Sequence, residues 1–154
     1  MDEKRFQWHL TGVYAFSPAN TPDFLKLIRA QAANLMIAAA IESTAEASSL
    51  ANGYGISRAD FIEMITSTLF AVPVYQGYGK LMVDRHFEPA GFKLSLGLKD
   101  VRLALEAGEA ARVPLPFASV LKDNLLDGMA HGQADQDWAS LMRAARLASD
   151  QAGP

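Results

Sequence analysis

The chain has no cysteine, which excludes disulfides and thiolate chemistry. Its three histidines stand at 9, 86 and 131, with neither HExxH nor paired spacing, so no metal centre is expected. There is no basic run. The 14 lysines and arginines are interspersed among 17 acids, for a net charge of −3, which argues against nucleic acid as a partner. No apolar stretch approaches the ~20 residues needed to cross a membrane. The N-terminal MDEKRFQWHL lacks the apolar core of a signal peptide, and a cytoplasmic protein is expected. No GxGxxG, no GxxxxGK[ST] phosphate loop and no GxSxG elbow occurs.

What is present is a long helix. From Ala32 to Ile41 every residue is apolar or small except Asn34. Thr21 is a good N-cap, Pro22 suits the first helical position, and Asp23 lies where the dipole favours negative charge. Asn52-Gly53 supplies a stop. The helix is predicted over about Pro22–Ala51, roughly 45 Å. A helix this apolar all round is expected to be buried on every side.

The flanks are less regular. In residues 1–20, Phe6, Trp8 and Leu10 alternate with polar residues, and Gly12 and Ser17-Pro18 then break the pattern. This part is read as an irregular arm. After the rod, Ser57 is expected to cap a second helix, with Asp60 three residues on, and Phe61, Ile62, Ile65 and Leu69 as its apolar stripe. Pro73 interrupts it. A third helix is predicted over about Val74–Asp84, a fourth over Lys93–Arg112, and a fifth over Pro116–Ala130. Asp135 can cap a last one, about Gln136–Ser149. The class is all-α: residues 21–150 form one domain in which five or six shorter helices surround one long central helix.

No complete catalytic constellation is visible. Asn34 is an amide on an apolar rod. It either bonds a neighbouring helix or faces a polar ligand. Glu42 and Glu46 share a face at i,i+4 and read as a polar edge before an acid–base pair. Lys99 shares a polar face with Arg102, Glu106 and Glu109.

Two stretches carry more than composition. NLMIAAAIESTAEASSLA (Asn34–Ala51) and GFKLSLGLKDVRLALEAGEAARVPLP (Gly91–Pro116) resemble the C-terminal helical domain of the β-hydroxyacid dehydrogenases. That family includes 3-hydroxyisobutyrate dehydrogenase and 6-phosphogluconate dehydrogenase-like enzymes. The Lys99-Asp100 pair, preceded by Phe92, is the most specific feature. TSTLFAVPVYQGYG (Thr66–Gly79) and GQADQDW (Gly132–Trp138) resemble its middle helices and closing motif. The likeness spans about residues 24–148.

The resemblance implies a two-domain enzyme in which a Rossmann domain binds NAD or NADP. The helical domain closes over nicotinamide and a small 3-hydroxy acid, and also forms a homodimer. The Rossmann half is missing from this sequence, so a separate Rossmann domain is a possible partner. The chain alone is expected to be inactive and not to hold the dinucleotide tightly. By resemblance Asn34 matches the substrate-binding asparagine and Lys99 a cofactor-contacting lysine. The catalytic lysine belongs four residues before Asn34, where Ala30 stands. Lys26-Leu27 resembles the family's Lys-Leu pair, but lies eight residues before Asn34. Lys26 is thus the candidate catalytic residue, about 6 Å out of position along a straight helix. The alternative is a non-catalytic helical module that kept the dimer surface. In either case the exposed aromatics Phe70, Tyr75, Tyr78 and Trp138, which lie outside any clear core stripe, are expected to mark an interface.

Overall fold

The computed structural model describes residues 22–141. Five α-helices follow in order: α1 Pro22–Gly53, α2 Arg58–Thr66, α3 Pro73–Asp84, α4 Leu94–Ala111 and α5 Pro116–Ala130. A 3₁₀ turn at Trp138–Leu141 closes the described chain. Among the described residues there is no strand, only one isolated bridge between Lys93 and Asp137. The all-α class and the single long helix are as expected. The N-terminal arm, the Thr21 cap and everything after Leu141 lie outside the described residues.

α1 is continuous through Asn34, 32 residues in all. It ends later than Asn52-Gly53 suggests. Gly53 is still helical, and the left-handed residue is Gly55, at φ 85°. The Ile56 N–H reaches the Ala51 carbonyl and the Gly55 N–H reaches Asn52. That 6→1 and 5→2 pair is a Schellman ending, which places C′ at Gly55.

α2 starts as predicted, with the Ser57 hydroxyl accepting from the Asp60 N–H at 3.1 Å. It stops at Thr66, well before Pro73. The Thr66 and Thr68 hydroxyls turn back to the carbonyls of Ile62 and Met64, in competition with onward helix. Leu69 therefore falls beyond the helix. It is 91% exposed and not part of the apolar stripe.

The core forms where α4 crosses α1 and α5. Ala38, Ile41 and Ala45 of α1 meet Leu94, Leu98 and Val101 of α4 and Ala118, Leu121 and Leu125 of α5. Trp138 lies at the centre, against Phe92 and Tyr78. This corrects the expectation that Trp138 is an exposed interface aromatic. It is buried, and Gly97 makes room for it: a Cβ on Gly97 would stand 2.7 Å from the indole.

The last helix is also corrected. No helix starts at Gln136; a 3₁₀ turn starts at Trp138. Its cap is Asp137 rather than Asp135. Asp137 Oδ1 accepts from the Ala139 N–H, while Oδ2 accepts from the N–H groups of Gly91 and Phe92, each at 3.0 Å. One buried carboxylate thus ties the loop before α4 to the 3₁₀ turn. Asp135 instead pairs with Lys93 at the surface.

Contrary to the expectation from its composition, the rod is not covered on every side. Ala32, Ala33 and Met36 face solvent, Met36 at 75% exposure. Four shorter α-helices and one 3₁₀ turn, among the described residues, do not encircle 32 residues of helix.

Candidate functional site

The site begins at the one amide in the apolar run. α1 carries Asn34 toward α4, and there its Nδ2 donates to Asp100 Oδ2 at 2.7 Å. Asp100 is only 5% exposed. Its other oxygen, Oδ1, is 2.8 Å from Lys99 Nζ. The Lys99 side chain is 58% exposed. A buried carboxylate therefore holds an amide on one side and a surface ammonium on the other.

This arrangement follows from the α4 sequence. Gly97, Leu98, Val101, Ala104 and Gly108 form its buried face. Asp100 lies three residues after Gly97 and four before Ala104, on the buried side at helical spacing. Lys99, one residue earlier, points to the edge. A carboxylate so buried needs partners, and Asn34 and Lys99 supply them. With one N–H taken by Asp100, Asn34 keeps its carbonyl oxygen and its second N–H for a ligand.

Of the residues picked out from sequence, the structure brings Asn34 and Lys99 together through Asp100. Asp100 itself was quoted only as part of a motif. The signal that it matters was an acid on the buried spacing of an apolar helix. Lys99 bonds its neighbour Asp100, not the acids Glu106 and Glu109.

Lys26 and Ala30 are both exposed on α1. Lys26 stands about 12 Å along the axis from Asn34 and about 80° around it. Ala30, one turn before Asn34, is on the adjoining surface and brings no titratable group.

Glu42 and Glu46 do not work as a pair. Glu46 is exposed, whereas Glu42 turns into the seam with α5. There its Oε1 accepts from Asn124 Nδ2 at 2.6 Å. Burial pushes the Glu42 carboxyl above the usual carboxylate range; the Asn124 hydrogen bond pulls it down and the Glu46 charge pushes it up further. No group of three or more His, Asp or Glu able to hold a metal gathers among the described residues. None of their helices is long and apolar enough to cross a membrane.

The model of a protein family described as the NAD-binding domain of NADP-dependent 3-hydroxyisobutyrate dehydrogenase matches residues 29–145. Asn34, Lys99 and Asp100 fall inside that span and Lys26 outside it. The chain is 42% identical to an uncharacterized oxidoreductase of Bacillus subtilis, YfjR, over 71% of this chain and 38% of that protein. It is 26% identical to the 2-hydroxy-3-oxopropionate reductase of Escherichia coli, over 73% of this chain and 38% of the other. Among solved structures, a 3-hydroxyisobutyrate dehydrogenase from Salmonella typhimurium superposes with a TM-score of 0.69 at 21% identity, covering 79% of this chain and 41% of that one. The chain therefore spans about two-fifths of the length of such relatives. By sequence and by fold, it belongs to the family of the NAD-binding domain of NADP-dependent 3-hydroxyisobutyrate dehydrogenase.

Proposed function

We propose that this chain is the helical substrate-and-dimerisation domain of an NAD(P)-dependent 3-hydroxyacid dehydrogenase, inactive by itself. The observation that carries the reading is the Asn34–Asp100–Lys99 chain of contacts, at 2.7 and 2.8 Å. Asn34 holds a small hydroxy acid by its remaining amide groups. Asp100 fixes the orientation of that amide and keeps the Lys99 ammonium at the surface. Lys99 fits an anionic or hydroxyl-bearing part of a dinucleotide, which is what an exposed and oriented ammonium recognises. NAD or NADP, when bound, supplies or accepts the hydride. Its pyrophosphate is normally held by a glycine-rich turn between strand and helix. No such turn occurs in this sequence, so a Rossmann domain must supply it, in the same polypeptide or in another.

The acid–base group is the weak point. Lys26 is the one lysine of α1, and a misplacement of ~1 Å can already cost about a hundredfold in rate. Ala30 supports a second reading, a non-catalytic module that retains the dimer surface. Exposed Met36 and Leu69, at 75% and 91%, support a homodimer in either case, of the obligate, apolar kind that buries more than ~2,000 Å².

Titration of NADH and NADPH into the purified chain tests the first reading. Binding weaker than ~100 μM is expected, because the pyrophosphate cradle is missing. Tighter binding, or hydride transfer to any 3-oxo acid by the chain alone, would sink the claim that it is half a site.

A further inference from the structure

The seam between α1 and α5 holds a carboxylate that the proposed site does not use. Glu42 is 5% exposed. Its Oε1 meets Asn124, and its Oε2 is buried with no hydrogen-bond partner. Among the described residues, no lysine, arginine or histidine forms an ion pair with it. Most charged groups on the described elements packed against α1 are engaged elsewhere. On α5, Lys122 pairs with Asp123 and Asp127 approaches His131. On α4, Lys99 pairs with Asp100, and Arg102 acts on Glu106, beside Glu109. On α3, Lys80 pairs with Asp84, with Arg85 just beyond the helix end. α2 carries Arg58, Asp60 and Glu63, and the 3₁₀ turn carries no charge. The charged group that acts on Glu42 is Glu46, of the same sign.

We propose that the folded chain holds Glu42 as the neutral acid, and that its ionisation loosens α5 from the long helix, so that this seam is a pH-responsive joint. A buried carboxylate with one amide partner and no cation is a high-energy species. A neutral carboxyl is not. With its amide turned over, Asn124 offers Oδ1 at the same place, and the neutral acid donates to it. Once ionised, Glu42 can recover hydration only if water enters between α1 and α5. Leu121 and Leu125, which flank Asn124, are both 0% exposed and would be wetted with it.

The direction of the pH effect follows. Below about pH 4.3, the ordinary glutamate value, Glu42 is protonated in the folded and unfolded chain alike, and the stabilising difference is fully present. As pH rises the unfolded chain releases its proton first. Stability is lost until the folded carboxyl has itself ionised, and is level beyond that.

The test compares the wild-type chain with Glu42→Gln from pH 4.5 to 8.5. Relative to wild type, the variant should melt at least about 3 °C higher at pH 8 than it does at pH 4.5. Amide hydrogen exchange adds the local readout. Protection of α5 in wild type should fall at least tenfold relative to the variant across the same interval. Carbon-13 carboxyl NMR of the wild-type chain alone should show one glutamate resonance, absent from the variant, that titrates well above its fellows; this holds even if the variant folds poorly. Parallel melting profiles, or a Glu42 resonance titrating with the other glutamates, would overturn the neutral acid. A high-titrating Glu42 without selective loss of α5 protection would overturn the joint.

Discussion

Along α1, Ala32, Ala33 and Met36 face solvent, while Glu42, Thr44, Ser48 and Ser49, two to four turns further on, are buried. The more apolar half of the helix is the less buried one. Polarity did not decide which half entered the core; the crossing of α4 and α5 did. Two of the buried groups in the polar half need nothing from outside. The Thr44 and Ser48 hydroxyls bond the carbonyls of Ala40 and Ala45, at 2.7 and 3.0 Å. Glu42 has Asn124 as its one partner, and the buried Ser49 hydroxyl has none. The apolar half has no such self-sufficiency. Its exposed methyl and thioether groups find no cover among the described residues.

The largest effect that would break this comparison comes from matched truncations. Ile41 is fully buried in the core cluster, and Ile41→Ala should cost about 2–5 kcal/mol. Met36→Ala, on the open half, should stay within about 0.5 kcal/mol in the monomer. Urea unfolding followed by circular dichroism at low micromolar concentration measures both. Equal losses at the two positions would mean that the open half is covered after all, and would remove the support for a partner there.

A smaller effect sharpens the same contrast from the other side. If the open half meets a second copy, the purified chain should scatter light with about twice the 16.7 kDa chain mass. Met36→Glu would then bury a charge in an apolar contact. It should weaken self-association at least tenfold, about 1.4 kcal/mol, while the folded spectrum is retained. A wild-type chain that remains a folded monomer at tens of micromolar would place the partner outside this sequence.

How much of this was legible beforehand depended on how local the cause was. The Ser57 cap and the α4 and α5 spans are set by residues within a turn of the feature, and sequence reading found them. Asn34 stood out because it interrupts an apolar run. Its partner did not, because Asp100 is 66 residues away and helix periodicity says nothing of which faces meet. The choice between Asp135 and Asp137 is of the same kind. Both can cap, and the decision was made by Gly91 and Phe92, whose N–H groups reach only the second. Trp138 was misjudged because its short segment has too little periodicity to show a face. The bare flank of the rod was misjudged because composition counts what a helix needs, not what the rest of the chain provides.

The smallest effect concerns the buried hydroxyls themselves. Ser48 is 1% exposed and its Oγ donates to the Ala45 carbonyl, three residues back on the same helix. That carbonyl also belongs to the α1 ladder, so deleting the hydroxyl leaves no group of another helix unpaired. Alanine has the higher helix propensity, by a few tenths of a kcal/mol, and it ends the back-bonding that bends helices. Against this stands the loss of one atom's packing, on the order of the same size. Ser48→Ala should therefore leave stability within about 0.5 kcal/mol of wild type, despite removing a polar contact at a fully buried position. A loss well beyond 1 kcal/mol, measured by urea unfolding, would show that the Ser48 hydroxyl serves a neighbour across the seam. The polar half of α1 would then be held in the core by its partners rather than by its own backbone.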